Sequence, residues 1–353
     1  VAYVAGKTAD ALRRELGVDT VVKLGSNESP IGPSERAVAA AGRAARTGHI
    51  YPGIELTDLA AAVGRHVGLG PDAVVIGNGS CDVLLAVAAE LLGPGDEAVV
   101  PEPSFAMYRI GAEAAGARVV SVPHCDYAFD QDGILDAVTE RTRLLFLTNP
   151  NNPTGLALSR TEIVTLLDAL PPWVVVVLDE AYGEFVDPES RVDGVEFLRE
   201  GCRVVVTRTF SKIYALAAFR VGYGLASPTL AGALRAAQPP FHVGSVALRA
   251  AQAALGDTDH IELSQRVNRE GRAYLTGRLT ALGFRVLPSQ ANHVLVVGLH
   301  DVQSLDAALN RQGVITRPTG PSFGLDGGLR ITVGTREQNE RVVAVLSDWL
   351  SGS

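Results

Sequence analysis

Seven short apolar runs recur along the first two thirds of the chain, and each is closed by turn-forming or polar residues. They lie at 73–76 before Gly77-Asn78-Gly79, 97–100 before Pro101-Glu102-Pro103, 118–122 before Pro123, and 144–148 before Asn149-Pro150. The others are 174–178 before Asp179-Glu180, 204–207 leading to Phe210-Ser211-Lys212, and 221–225 ahead of Pro228. The run Val174-Val175-Val176-Val177-Leu178 is apolar at every position, as in a strand covered on both faces. Helical patterns such as 83–92 and 161–170 fall between the runs. The alternation predicts an α/β fold: a mainly parallel seven-stranded sheet with helices on both faces.

The pattern changes near residue 258. A long helix with a polar face over 261–282 precedes strands at 284–287, 294–297, 314–316 and 329–333, and a last helix begins at Glu337. This predicts a smaller α+β domain at 258–353, a large domain at 27–257 and an N-terminal segment at 1–26. Neither an internal repeat nor a low-complexity tract interrupts them.

The chain has 353 residues, enough for two domains. Its 47 % hydrophobic and 20 % charged residues are those of a globular protein rather than a disordered one. The net charge of −8, with no Lys/Arg run, argues against nucleic acid as a partner. Three separated cysteines, Cys81, Cys125 and Cys202, form neither a disulfide framework nor a zinc motif. No metal site is expected, and a reducing compartment, the cytoplasm, fits best. Neither a signal peptide nor an apolar run long enough for a membrane span is read. Lysine occurs only at positions 7, 23 and 212, so Lys212 stands out at the end of a strand.

In open α/β sheets ligands sit beyond the carboxyl ends of the strands. Four runs end there in reactive or polar groups. Lys212 can form a Schiff base if partly desolvated. Asp179 is expensive to bury without a cationic partner, and a pyridinium nitrogen is one; Tyr182 lies three residues on. Asn149-Pro150-Asn151-Asn152-Pro153-Thr154-Gly155 is a rigid turn with amides able to bond a phenolate oxygen. Gly77-Asn78-Gly79-Ser80-Cys81-Asp82 is a glycine turn before a helix, suited to phosphate, and it matches no dinucleotide or P-loop motif. Arg220 can join the same phosphate, and Arg330 offers a bidentate guanidinium for a substrate anion. Each feature also has a structural reading: a surface lysine, a helix cap, a turn, surface arginines. Their convergence carries the chemistry.

In order and spacing, Asn149 to Gly155, Asp179-Glu180-Ala181-Tyr182, and Thr209-Phe210-Ser211-Lys212 with Arg220 resemble the fold-type I, pyridoxal-phosphate-dependent aminotransferases. The similarity is greatest to the histidinol-phosphate and aromatic aminotransferase group. It runs from Lys23-Leu24-Gly25-Ser26-Asn27-Glu28-Ser29-Pro30 to Leu329-Arg330-Ile331-Thr332-Val333-Gly334-Thr335. The resemblance implies that Lys212 holds pyridoxal 5'-phosphate and then shuttles the proton between the substrate Cα and the cofactor. It implies that Asp179 pairs with the pyridine nitrogen, that Asn152 and Tyr182 bond the ring oxygen, and that Phe105 stacks on the ring. Ser80, Cys81, Thr209, Ser211 and Arg220 would surround the phosphate. Tyr51 would reach the phosphate of a neighbouring subunit, which implies a homodimer, with segment 1–26 packing on the small domain and the partner subunit. Arg330 is the implied anion clamp, with Arg317, Tyr3 and Asn27 on the substrate side.

The implied reaction is a ping-pong amino transfer from an amino acid or amino-alcohol phosphate to a 2-oxo acid. The rivals are a decarboxylase of the threonine-phosphate type or an amino-acid oxidase or cyclase on the same scaffold, and a non-catalytic binding module, which would be expected to lose Lys212 or Asp179. The chain departs from the family pattern at Ala215 and Ala218, where glycine is usual, at Cys81 (Asp), at His242 (Asn) and at His293 (Phe). These departures either record drift or mark a retuned pocket.

Overall fold

The computed structural model describes residues 6–17 and 20–352. Thirteen strands lie among them: β1 Val22–Lys23, β2 Val74–Gly77, β3 Glu97–Glu102, β4 Arg118–Pro123, β5 Thr142–Thr148, β6 Val175–Asp179, β7 Val204–Thr209, β8 Gly222–Leu225, β9 Arg285–Val286, β10 His293–Val297, β11 Val314–Ile315, β12 Arg317–Pro318 and β13 Leu329–Thr332. The seven apolar runs become β2 to β8, each within two residues of its expected bounds. They form one seven-stranded sheet in the order β2-β8-β7-β6-β5-β3-β4. All pairings are parallel except those of β8, which runs against both β2 and β7.

Period-two alternation divides the strand side chains between two cores. Ile76, Val99, Leu145, Leu147, Val176, Leu178, Val204 and Val206 face one layer, with Ala37, Leu59, Val63, Ile163 and Leu248 of its helices. Val75, Val100, Leu144, Phe146, Val175, Val177 and Val205 face the other, with Val83, Leu84, Tyr108, Ala112 and Leu234. Each such valine or leucine, removed fully from water, contributes about 1.5–3 kcal/mol. The uninterrupted apolar character of β6 follows from this double cover.

A separate core joins Leu275, Leu279, Val294, Val296, Leu329, Ile331, Val342 and Leu346 to Val22 and Leu24 near the amino end. Its sheet has the order β12-β13-β10-β9 and is antiparallel. The expected strand at 314–316 forms as β11 but stays outside that sheet, pairing in parallel with β1. The long helix is Thr258–Ala281 and the last one Arg336–Ser351, the latter opened by a Thr335/Gln338 capping box. No helix among the described residues is long and apolar enough to cross a membrane.

Candidate active site

Register brings the first site groups together. Thr148, Asp179 and Thr207 are neighbours across β5, β6 and β7 at the carboxyl edge of the sheet. Asp179 is almost fully buried. Its Oδ2 accepts from the Tyr108 hydroxyl at 2.8 Å and its Oδ1 from the Ala181 N–H at 3.1 Å. The Tyr108 proton is thereby committed, so the Thr148 hydroxyl donates to the Tyr108 oxygen at 2.7 Å. Burial pushes the Asp179 carboxyl above the usual range, and the hydrogen bond from Tyr108 pulls against that push. A cation beside it would favour the ionised form.

Lys212 follows β7 in a turn. Its Nζ donates to the carbonyls of Ser26 at 3.2 Å and Asn27 at 3.1 Å and lies 5.7 Å from the centre of the Tyr182 ring. Desolvation, with Arg330 nearby, lowers its pKa to about 8. That brings a useful fraction of nucleophilic amine into the neutral range.

The turn at 149–155 divides its asparagines. Asn149 and Asn151 hold the loop: Asn149 Oδ1 accepts from Leu158 N–H at 2.8 Å, and Asn151 Nδ2 donates to Pro103 O and Thr154 Oγ1 at 3.1 and 3.0 Å. Asn152 is the member that lines the cavity, and its Oδ1 accepts from Arg330. Asn27 Nδ2 donates to the Tyr182 oxygen at 2.9 Å, and both residues are buried.

The other end of the site is built for an anion. The helix Ser80–Leu91 starts after Gly79, whose φ of 78° lies in the left-handed region and whose lack of a side chain leaves the first turn uncapped. A Cβ on Gly79 would stand 2.7 Å from the Arg220 guanidinium, and one on Gly222 would stand 2.5 Å from the Ser80 nitrogen. Gly222 is required by its approach to rigid backbone, and Gly79 by its left-handed φ. Thr209 Oγ1 donates to Ser211 Oγ at 3.0 Å, and Arg220 donates to Ser211 Oγ at 3.3 Å and to Ala217 O at 2.9 Å.

One cavity of about 250 Å³ gathers Lys212, Asp179, Tyr182, Asn152, Asn27, Phe105, Ser80, Cys81, Thr209, Ser211, Arg220, Arg317 and Arg330. Tyr51 is not among them: it is 77 % exposed and stacks on Phe241 at 4.8 Å. Tyr3 lies outside the described residues. Tyr108, Thr148 and Glu28 also line the cavity and were not anticipated. Tyr108 lies in the first turn of the helix Met107–Ala114 as an ordinary core aromatic would, and only the fold brings it to Asp179. Among the departures, Ala215 has a φ of 57°, a conformation that favours glycine. His242 bonds Ile76 O at 2.9 Å away from the cavity lining, whereas His293 contacts site residues directly.

The chain matches the family Aminotransferase class I and II over residues 19–346. The chain belongs to that family. Histidinol-phosphate aminotransferase of Symbiobacterium thermophilum is 44 % identical over 98 % of this chain and 94 % of its own length. That of Moorella thermoacetica is 41 % identical over 99 % and 90 %. The solved histidinol-phosphate aminotransferase of Sinorhizobium meliloti, in complex with pyridoxal-5'-phosphate, has a TM-score of 0.89 at 29 % identity and covers 98 % of this chain and 95 % of that one. Membership makes the chain a pyridoxal-phosphate-dependent aminotransferase of the fold-type I architecture. The cavity fits that cofactor on its own terms. It offers an amine of lowered pKa, a buried carboxyl that burial pushes above its usual range, and an uncapped helix start beside Arg220 that a Cβ at Gly79 would fill.

Proposed function

We propose that the aminotransferase takes an amino donor carrying a phosphate, of the histidinol-phosphate type, and delivers the amino group to a 2-oxo acid. The observation that supports it most is the pairing of Arg317 with Arg330 across β12 and β13. Both are buried, and cross-strand partners share a face of the sheet. Like charges placed opposite each other repel, and an anion between them turns the repulsion into a clamp. The names of the relatives supply the donor type.

In this reading pyridoxal phosphate, when bound, supplies an aldehyde that captures the donor's amine and a protonated ring that draws electron density from Cα. Asp179, held by Tyr108, keeps the ring nitrogen protonated. Asn152 and Tyr182 bond the ring oxygen, and Phe105 packs on the ring face. The first turn at Ser80 and Cys81 holds the phosphate with Thr209, Ser211 and Arg220. Lys212 would hold the cofactor through its amine and, once that amine is free, would serve as the general base that moves the donor's Cα proton. Tyr3 and Asn27 complete the substrate side.

The same reading divides the chain at 1–26, 27–257 and 258–353 and places the enzyme in the cytoplasm as a homodimer. Ile50, Tyr51, Ile54 and Phe241 are exposed apolar groups, 57–77 % accessible, as an interface that carries Tyr51 to a partner's phosphate would need.

The test is a spectral titration of the cofactor-loaded enzyme. Histidinol phosphate should bleach the visible band at far lower concentration than phenylalanine, and 2-oxoglutarate should restore it. Turnover that continues without any 2-oxo acid would point instead to decarboxylation or oxidation.

A further inference from the structure

His293 opens β10 and is fully buried against the site. Its Nε2 lies 3.1 Å from the Pro153 carbonyl oxygen. A carbonyl only accepts, so Nε2 carries the proton. Nδ1 lies 3.1 Å from Asn27 Nδ2. A neutral ring with its proton on Nε2 has a bare Nδ1, which accepts there.

The orientation of the Asn27 amide follows. Thr332 Oγ1 accepts from the Asn27 N–H at 2.9 Å and donates to Asn27 Oδ1 at 3.1 Å. The two Nδ2 protons are divided between His293 Nδ1 and the Tyr182 oxygen. The Tyr182 oxygen is therefore an acceptor toward Asn27, and its own proton serves a different acceptor. An apolar ring at position 293 would leave one buried Asn27 N–H unpaired and the amide without its second anchor.

The charged groups around this network are Lys212 from the turn after β7 and Arg330 from β13; Asp179, Glu28, Arg220 and Arg317 line the same cavity. Burial and the neighbouring Arg330 cation keep the imidazole neutral, well below its ordinary range, so the tautomer persists across the working pH.

We propose that His293 is a positioning residue: through Asn27 it commits the Tyr182 hydroxyl to donate toward the ring oxygen of bound pyridoxal phosphate, and so tunes the protonation of the Lys212–cofactor link. This rests on the reading that Tyr182 faces the ring oxygen. A donor at that oxygen stabilises its anion and favours the link without its proton. Loss of the donor shifts the link's pH midpoint upward.

His293→Phe and His293→Asn separate the polar role from packing. Phe keeps the ring volume without an acceptor, whereas Asn places Oδ1 where Nδ1 stands. The readouts are the pH midpoint of the visible band in the loaded enzyme, the cofactor dissociation constant and the thermal midpoint of the cofactor-free protein. Expected are a rise of about 0.5–1 pH unit and severalfold weaker cofactor binding for His293→Phe. His293→Asn should retain the wild-type midpoint. An unchanged midpoint in His293→Phe, or equal shifts in both variants, overturns the proposal. Imidazole ¹⁵N shifts in the wild-type holoenzyme give a check that needs no variant: a protonated Nδ1 would also overturn it. Absence of any pH-dependent visible band in the wild type would instead sink the reading on which it rests.

Discussion

Tyr108→Phe isolates one hydrogen bond at the electron-withdrawing end of the site. The tyrosine is fully buried and its ring stacks on Phe146 at 4.9 Å, so the phenylalanine fills the same space and leaves no cavity. What is lost is the 2.8 Å donor to Asp179 Oδ2 and the acceptor for Thr148. A hydrogen bond to a charged group contributes about 1.5–3 kcal/mol, and 1.4 kcal/mol is about tenfold in affinity. The variant should thus bind pyridoxal phosphate about ten- to a hundredfold more weakly. The sign with pH also follows. Burial already holds the Asp179 carboxyl above its ordinary pKa, and removing the donor raises it further. The carboxylate that pairs with the ring nitrogen then becomes scarcer as pH falls, so the defect should be largest at acidic pH and shrink toward alkaline pH. Titration of cofactor into cofactor-free enzyme at a series of pH values measures this, with single-turnover rates alongside. A folded variant with wild-type affinity at every pH would refute the assignment of Tyr108 as the support of Asp179.

Three further outcomes are expected. Capture of cofactor by the cofactor-free enzyme should accelerate as pH rises through about 8, where Lys212 loses its proton; a midpoint near that of an ordinary lysine in stopped-flow absorbance would contradict the desolvated amine. Arg330→Met should raise KM for a phosphorylated donor about ten- to a hundredfold, since a charge-assisted pair contributes about 1.5–3 kcal/mol, and steady-state kinetics showing an unchanged KM would remove Arg330 from the clamp. Ala215→Gly should raise the thermal midpoint, because an L-residue at a φ of 57° is strained; about 1–2 kcal/mol of that strain is relieved against about 0.4–1 kcal/mol of added chain entropy.

Much of the architecture was written locally. Each strand of the large sheet is a contiguous apolar run with its own turn signal, and hydrophobic burial reads such runs wherever they fall. Short polar-ended strands were harder: β1 and β12 have two residues each and exist only because β11 and β13 offer edges to pair with. The residues of the cavity anticipated from motifs, such as Lys212, Asp179 and Arg220, sit where a strand or helix ends, so their placement follows from the strand order alone.

The amino-acid sequence by itself determined the alternation of elements, the carboxyl edge on which the reactive groups stand, and the family. Tertiary structure alone decided which neutral groups set their state. Tyr108 lies 71 positions from Asp179 and Asn27 lies 266 from His293, and no local pattern distinguishes either tyrosine or histidine from ordinary core. A hydrogen bond depends on ångström distances between atoms far apart in the chain, whereas a hydrophobic run depends only on its neighbours. Packing therefore shows itself in the sequence, and the direction of a proton appears only when the chain has closed around it.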